Sequence, residues 1–130
     1  MTFRVLIVDD NPDHRFLTRR ALKGLDGVEV ALAGDGNEAV ASATAKRPDL
    51  ALIDVKMPGM DGFEVLVRIR AALQPDPPRV VMLTSSENAA DKERAAMLGA
   101  DGFVTKPIDA KEFAILVRAT VGSWAAKRTA

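Results

Sequence analysis

Short apolar runs alternate with longer amphipathic stretches along the whole chain. Five runs rich in β-branched residues predict strands, at residues 4–8, 28–33, 50–54, 79–84 and 102–105. Five longer stretches, amphipathic or rich in alanine, predict helices, at residues 12–24, 37–46, 62–73, 88–98 and 110–121. Strands that alternate with helices in this way indicate the α/β class with a mainly parallel sheet.

The composition of individual elements refines this picture. Residues 5–8 and 80–83 are apolar at every position, which is typical of a parallel strand covered by helices on both faces. The last helix carries Phe113, Val117 and Val121 at the spacing of a buried helical face. The sequence therefore predicts a doubly wound, five-stranded parallel sheet.

Three aspartates stand where helices are predicted to begin. Asp35, Asp61 and Asp109 each precede a helix and can cap it, since a short side-chain oxygen accepts from the first free backbone N–H groups. Residues 34–39 also fit a GxGxxA dinucleotide-binding fingerprint. That stretch follows the second predicted strand rather than the first, so we favour a turn with a helix cap there.

Polar residues stand at the carboxyl ends of four predicted strands, the edge at which open parallel sheets bind ligands. They are Asp9 and Asp10, Asp54, Thr84 and Ser85, and Lys106. Taken singly, each has an ordinary explanation: Asp9 and Asp10 can cap a helix, Asp54 can form a turn, and Lys106 can lie at the surface. Their joint presence at one edge favours a functional site.

The chemistry of this edge follows from its charges. Three ionised carboxylates repel one another by about 4 kcal/mol per close pair at an effective dielectric constant near 20, so they need cations. Ligands that are all oxygen point to Mg2+, with Mn2+ as the alternative, and Lys106 supplies one further positive charge. Asp54 beside such a metal is a candidate nucleophile toward phosphorus, and Thr84 can donate to a phosphoryl oxygen while Ser85 leaves access.

Composition and charge exclude several classes of protein. The chain has 130 residues with 18 basic and 18 acidic side chains, so a nucleic-acid or membrane-surface binder is not expected. The absence of cysteine excludes disulfides and thiolate catalysis and suits the cytoplasm. We expect no signal peptide or membrane span, and one domain over residues 1–124 with a short tail over residues 125–130.

Two longer motifs carry a family resemblance. Residues 54–62 read Asp-Val-Lys-Met-Pro-Gly-Met-Asp-Gly, and residues 99–107 read Gly-Ala-Asp-Gly-Phe-Val-Thr-Lys-Pro. Together with Asp9, Asp10 and Thr84, they make the chain resemble the receiver domain of two-component response regulators. The resemblance covers nearly the whole chain and implies a flavodoxin-like (βα)5 fold with strand order 2-1-3-4-5. Residues 85–87 and 121–124 also resemble the small regulators that serve bacteriophytochrome-type kinases.

The resemblance implies a role for each site residue. Asp54 would accept the phosphoryl group. Magnesium would be held by Asp10, Asp54 and the backbone carbonyl of Lys56, with Asp9 acting through water. Lys106 would bind the phosphoryl group and form a cis peptide bond with Pro107. Thr84 and Phe103 would form the switch pair.

The chain departs from the family's common pattern at three positions. Phe103 lacks the hydroxyl of the tyrosine that is also common there, so it cannot donate a hydrogen bond to a partner. Lys56 and Ser86, each two residues past a site residue, would flank the path of a water that hydrolyses the phosphorylated Asp54. We therefore expect these two side chains to tune the lifetime of the phosphoryl group.

Two aromatic residues have less specific interpretations. His14, the single histidine, is predicted to be exposed on the first helix rather than to act as a phosphodonor or ligand. Trp124 is predicted to pack the last helix against the body, with an exposed dimer anchor as the alternative.

The function that best fits these residues is a switch phosphorylated by a sensor histidine kinase or a phosphotransfer protein. Its partner, or a second copy of the chain, would bind the surface of the fourth helix, fifth strand and fifth helix. A magnesium-dependent phosphatase with an aspartate nucleophile is less well supported, because Lys56 replaces the carboxylate that rapid turnover needs. A scaffold that takes no phosphoryl group is the third alternative, although the set of site residues is complete. The chain is not expected to be an enzyme beyond its own phosphorylation and slow dephosphorylation.

Overall fold

The computed structural model describes residues 2–85 and 88–129, without the side chains of residues 128 and 129. Strands and helices alternate along it as the sequence predicts, and each predicted strand begins and ends within one residue of the observed one. The elements are β1 (Phe3–Val8), α1 (Pro12–Leu22), β2 (Val28–Ala33), α2 (Gly36–Ala45), β3 (Leu50–Asp54), α3 (Gly62–Ala72), β4 (Arg79–Thr84), α4 (Ala89–Met97), β5 (Gly102–Thr105) and α5 (Ala110–Thr129).

The five strands form one parallel sheet in the order β2-β1-β3-β4-β5, as predicted. Strand β1 pairs on one side with β2 and on the other with β3. The strand order therefore reverses beside β1, and a crevice opens at the carboxyl ends of β1 and β3.

None of the helices in the described ranges is long and apolar enough to cross a membrane.

Alternate side chains of each central strand enter two separate hydrophobic clusters, one on each face of the sheet. Leu6 and Val8 of β1 belong to the cluster covered by α2, α3 and α4. Val5 and Ile7 belong to the cluster covered by α1 and α5. Because both faces are covered, the inner strands carry apolar residues on both faces, as residues 5–8 and 80–83 do.

Helix α5 is longer than predicted. It continues past the expected end at residue 121 to Thr129, so the predicted tail is helical up to that residue. Gly122 and Ser123 are weak helix formers and favour an end at this point, whereas Ala125 and Ala126 favour continuation. Trp124 is partly buried against the α1 and α5 cluster, as predicted, and this contact holds the additional turns on the body.

The three predicted N-caps are confirmed. Side chains of Asp35, Asp61 and Asp109 each accept from the backbone N–H three residues later, at 2.8, 3.0 and 2.9 Å. The stretch at residues 34–39 therefore acts as the turn and cap that we favoured. These caps fix where α2, α3 and α5 begin, and so set the lengths of the loops that border the sheet edge.

Candidate functional site

Side chains from three strand ends converge at the carboxyl edge of the sheet. Asp9 and Asp10 follow β1, Asp54 ends β3, and Lys106 follows β5. One carboxylate oxygen from each of the three aspartates lies within 4.8 Å of the other two. The structure thus brings together the three carboxylates of the predicted metal site in an arrangement that suits a hard divalent cation with oxygen ligands.

The three carboxylates differ in their burial. Asp9 is 3% exposed and Asp54 is 9% exposed, whereas Asp10 is exposed to solvent. A cation bound by these carboxylates would lie where the site opens to solvent beside Asp10, so it could keep some of its water ligands, as magnesium prefers to do. The site is therefore open enough for a phosphodonor to approach Asp54.

Lys106 supplies the positive charge nearest to these carboxylates. Its Nζ lies 2.7 Å from Asp9 Oδ2 and 3.2 Å from Asp54 Oδ2, and the side chain is 7% exposed. Three carboxylates and one ammonium leave a formal charge of −3 + 1 = −2. A divalent cation would bring this sum to zero.

Burial raises the pKa of the Asp54 carboxyl above its ordinary value, because the charged form loses water. The Lys106 ammonium lowers this pKa in part, and the negative charge of Asp9 raises it further. A hydrogen bond from the backbone of Lys56 also favours the ionised form. Asp54 is therefore a carboxylate whose charge is incompletely compensated, which suits a nucleophile that loses its charge on reaction.

The turn between β1 and α1 is held by hydrogen bonds to Asp9. The Asn11 N–H donates to Asp9 Oδ1 at 3.0 Å, and Arg15 Nη1 donates to the Asp9 carbonyl at 2.7 Å. The Asn11 side chain caps α1 by accepting from the backbone N–H groups of the first turn. These bonds fix the Asp9 carboxylate relative to the helix that follows it.

His14 belongs to this site, although the sequence predicted only an exposed helix residue. Its side chain is 39% exposed, and Nδ1 lies 3.2 Å from Lys106 Nζ and 3.6 Å from Asp9 Oδ2. The signal in the sequence is its place in the first turn of a helix that begins directly after Asp9 and Asp10. A residue in that turn lies above the sheet edge where those carboxylates end.

The end of β4 and strand β5 hold the remaining predicted residues. Thr84 is 1% exposed, Ser85 is exposed, and Phe103 is partly buried against the cluster covered by α2, α3 and α4. The Lys106 N–H donates to the Thr84 carbonyl at 2.6 Å, which joins the two strand ends. Ser86 lies outside the described residues.

The peptide bond between Lys106 and Pro107 differs from the prediction. The one cis bond within the described ranges joins Gln74 and Pro75, so the predicted cis bond at Lys106 is wrong. The two isomers before a proline differ by only about 0.5–1 kcal/mol, so the residue pair by itself does not determine which one forms. The Lys106 ammonium reaches both carboxylates with this bond trans.

The start of α3 packs tightly against the end of β3. The Gly62 N–H donates to the Val55 carbonyl at 2.9 Å, and a Cβ added at Gly62 would collide with the Asp54 backbone carbonyl. Only glycine allows this approach. Lys56, in the loop between these elements and two residues past Asp54, is exposed.

Comparison with known proteins agrees with this geometry. The family model of the response regulator receiver domain matches residues 5–118. The chain is 37% identical over 119 residues to the DNA-binding response regulator MtrA of Mycolicibacterium smegmatis, across 92% of this chain and 50% of MtrA. The chain thus spans about half the length of curated relatives such as MtrA.

Two solved structures of response regulators are similar over nearly their whole length. The phosphorylated cyanobacterial phytochrome response regulator RcpA has a TM-score of 0.87 and 29% identity, covering 98% of this chain and 96% of RcpA. The Mn(2+)-bound form of response regulator Rcp1 has a TM-score of 0.83 and 29% identity, covering 94% of each chain. The sequence motifs, the strand order and these matches agree: the chain belongs to the response regulator receiver domain family.

Proposed function

We propose that this chain is a signalling switch that accepts a phosphoryl group on Asp54 from a sensor histidine kinase or a phosphotransfer protein. The observation that carries the proposal is the position of Asp54, with two further carboxylates within 4.8 Å and the Lys106 ammonium 3.2 Å away. In the transfer, the bond between phosphorus and the donor atom breaks, and a bond between phosphorus and an Asp54 oxygen forms. The negative charge of Asp54 moves onto the phosphoryl oxygens.

Magnesium is the metal that we propose for the three carboxylates, with manganese able to replace it. Asp10 and Asp54 would bind it directly together with the Lys56 backbone carbonyl, and Asp9 would act through water. The bound ion would neutralise charge on the phosphoryl oxygens. The similar response regulator Rcp1 has a Mn(2+)-bound form, which supports a divalent cation as the ligand of these carboxylates.

Lys106 and Thr84 act on the phosphoryl group from the other side. The ammonium of Lys106 already faces the Asp54 oxygens, so it can pair with a phosphoryl oxygen through a short movement. A charge-assisted hydrogen bond of this kind is roughly twice as strong as a neutral one. Thr84 stands at the neighbouring strand end and can donate its hydroxyl hydrogen to a second phosphoryl oxygen.

Binding of a partner would follow phosphorylation. We propose that the surface of α4, β5 and α5 changes on activation and binds a downstream protein or a second copy of the chain. Met97 on α4 and Ile115 on α5 are large apolar side chains that are 81% and 62% exposed. The protein would act in the cytoplasm, and this domain would bind neither nucleic acid nor membrane.

The proposal is tested by measuring how much phosphate the chain takes from acetyl phosphate. We expect one phosphoryl group per chain, then slow release, and no incorporation once EDTA removes the magnesium. Continuous rapid release of phosphate would instead indicate the phosphatase alternative. No incorporation with saturating magnesium would indicate the scaffold.

A further inference from the structure

We infer that His14 is a positioning residue for the proposed phosphoryl transfer, and that it acts by holding the Lys106 ammonium in place. The inference rests on the proposed function. It concerns a side chain on α1 that is neither a carboxylate of the site nor a phosphoryl-binding residue. Its basis is the set of contacts around Lys106 Nζ.

The ammonium of Lys106 has three N–H donors and three acceptors. Asp9 Oδ2, Asp54 Oδ2 and His14 Nδ1 lie 2.7, 3.2 and 3.2 Å from Nζ. An ammonium can only donate, so this hydrogen bond requires a neutral imidazole that accepts at Nδ1 and carries its proton on Nε2. Because Lys106 is buried, leaving one of its donors without an acceptor would be costly.

Two helices hold the His14 ring in this orientation. Its backbone is fixed by the Asn11 cap at the start of α1. The centroid of the His14 ring lies 5.5 Å from the centroid of the Phe113 ring on α5, and Phe113 is 4% exposed. The Lys106 Nζ lies 5.8 Å from the centroid of the same Phe113 ring, so the imidazole and the ammonium share one apolar wall.

This arrangement has a consequence for the transfer. When phosphorus bonds to Asp54, one N–H of Lys106 has to turn from the carboxylate to a phosphoryl oxygen. Asp9 and His14 keep the other two donors occupied, so the ammonium pivots rather than moving away. Without the His14 acceptor, the ammonium has one fixed partner fewer and spends less time in the orientation that transfer requires.

The test compares two variants of His14 in this 130-residue chain with one control variant. His14→Phe keeps a ring against Phe113 but removes the acceptor. His14→Asn loses the ring but places an amide oxygen near the position of Nδ1. At pH 8 with saturating magnesium, we expect His14→Phe to slow phosphorylation by acetyl phosphate about tenfold, the effect of one lost charge-assisted hydrogen bond. We expect His14→Asn to recover most of the rate, and Arg19→Ala, an exposed change on the same helix, to have no effect.

A second readout does not depend on phosphorylation. A buried ammonium with all its donors occupied exchanges protons slowly, so the NMR signal of the Lys106 NH3 group should be visible in metal-free wild type. Lys106→Met identifies that signal. We expect the signal to broaden in His14→Phe and to persist in His14→Asn.

Failure of the inference and failure of the proposed function give different results. If wild type takes up phosphate and His14→Phe matches its rate with an unchanged Lys106 signal, His14 has no positioning role. If wild type takes up no phosphate, the proposed function fails, while the ammonium signal still reports on the contact.

Discussion

Asp54 keeps its negative charge in surroundings that disfavour it. Burial raises the pKa of its carboxyl, and the contact with Lys106 offsets this only in part. A carboxyl whose pKa is higher in the folded than in the unfolded chain stabilises the fold when it is protonated. This contribution to the free energy of unfolding has its full value at a pH below the unfolded pKa, about 3.9. That stability is lost as the pH rises through the folded pKa. The metal-free protein therefore carries an electrostatic cost at Asp54 at neutral pH.

Removing this charge should stabilise the metal-free protein. We expect Asp54→Asn to raise the thermal midpoint by a few degrees at pH 7.5 in EDTA, and the gain to shrink as the pH falls toward 4. Thermal unfolding followed by circular dichroism measures the difference. Asp26→Asn, an exposed change, is the control and should show no such gain. A midpoint for Asp54→Asn at or below that of wild type at pH 7.5 would contradict the assigned direction.

The side chain of Lys56 should prolong the phosphorylated state. It is exposed beside the site, carries a positive charge, and offers no acceptor that could orient an attacking water. An exposed ion pair worth about 0.5–1 kcal/mol corresponds to a two- to fivefold effect on rate, so Lys56→Asn should lose its phosphoryl group about two to five times faster. Decay of radiolabelled protein in saturating magnesium gives the rates, with Lys92→Asn on α4 as the control. Equal or slower decay of Lys56→Asn would remove this role.

At the scale of elements, the start of α3 can pack against the end of β3 only because Gly62 has no side chain. Gly62→Ala would place a methyl group against the backbone of Asp54 and Val55, where no flexible side chain can yield. We expect a loss of about 1–3 kcal/mol in the free energy of unfolding and slower phosphorylation, because the β3 end that carries Asp54 must shift. Gly122→Ala in α5 is the matched control, since the added Cβ meets nothing within 4 Å. It should stabilise the protein by about 0.5–1 kcal/mol. Equal stability of the two variants would contradict the tight junction.

Most elements could be predicted because local chemistry decides them. The continuously apolar strands and the aspartate caps identify where elements lie and begin. The end of α5 was missed, since the weak helix formers Gly122 and Ser123 favour an end that the packing of Trp124 overrides. Tertiary contacts are not visible in the local pattern of residues.

In the site, too, some residues could be predicted from the sequence and others could not. Its carboxylates and Lys106 could be predicted because the carboxyl ends of parallel strands meet at one edge. His14 was missed because its partner, Lys106, lies 92 residues away in the sequence. The predicted cis isomer before Pro107 was wrong. The cis and trans isomers have nearly equal free energies, so the surrounding structure decides which one forms.

At the scale of the whole molecule, α4 is the helix least anchored to the sheet. Ala95 is its single buried residue, and Arg94 lies 4.3 Å from the centroid of the Phe63 ring on α3. Helices held by so few buried contacts shift at low cost. This helix also follows the β4 end that carries Thr84, so we expect it to respond to a movement of Thr84.

Phosphorylation should therefore alter one side of the molecule. We expect the Thr84 hydroxyl to move toward the phosphoryl oxygens and the Phe103 ring to move into the vacated space. Amide chemical shifts recorded before and after phosphorylation should change most in α4, β5 and α5, with the active form only slightly populated beforehand. Changes confined to the opposite region, near Ala39 and Ala43, would contradict this switch.

The central claim is that Asp54 itself receives the phosphoryl group. The most direct measurement is mass spectrometry of the intact chain after incubation with acetyl phosphate and magnesium, for wild type and for Asp54→Asn. We expect one phosphoryl group on wild type, lost on treatment with base, and none on Asp54→Asn, which lacks the nucleophilic carboxylate. Incorporation into Asp54→Asn of a base-labile phosphoryl group at the wild-type rate would contradict the assignment.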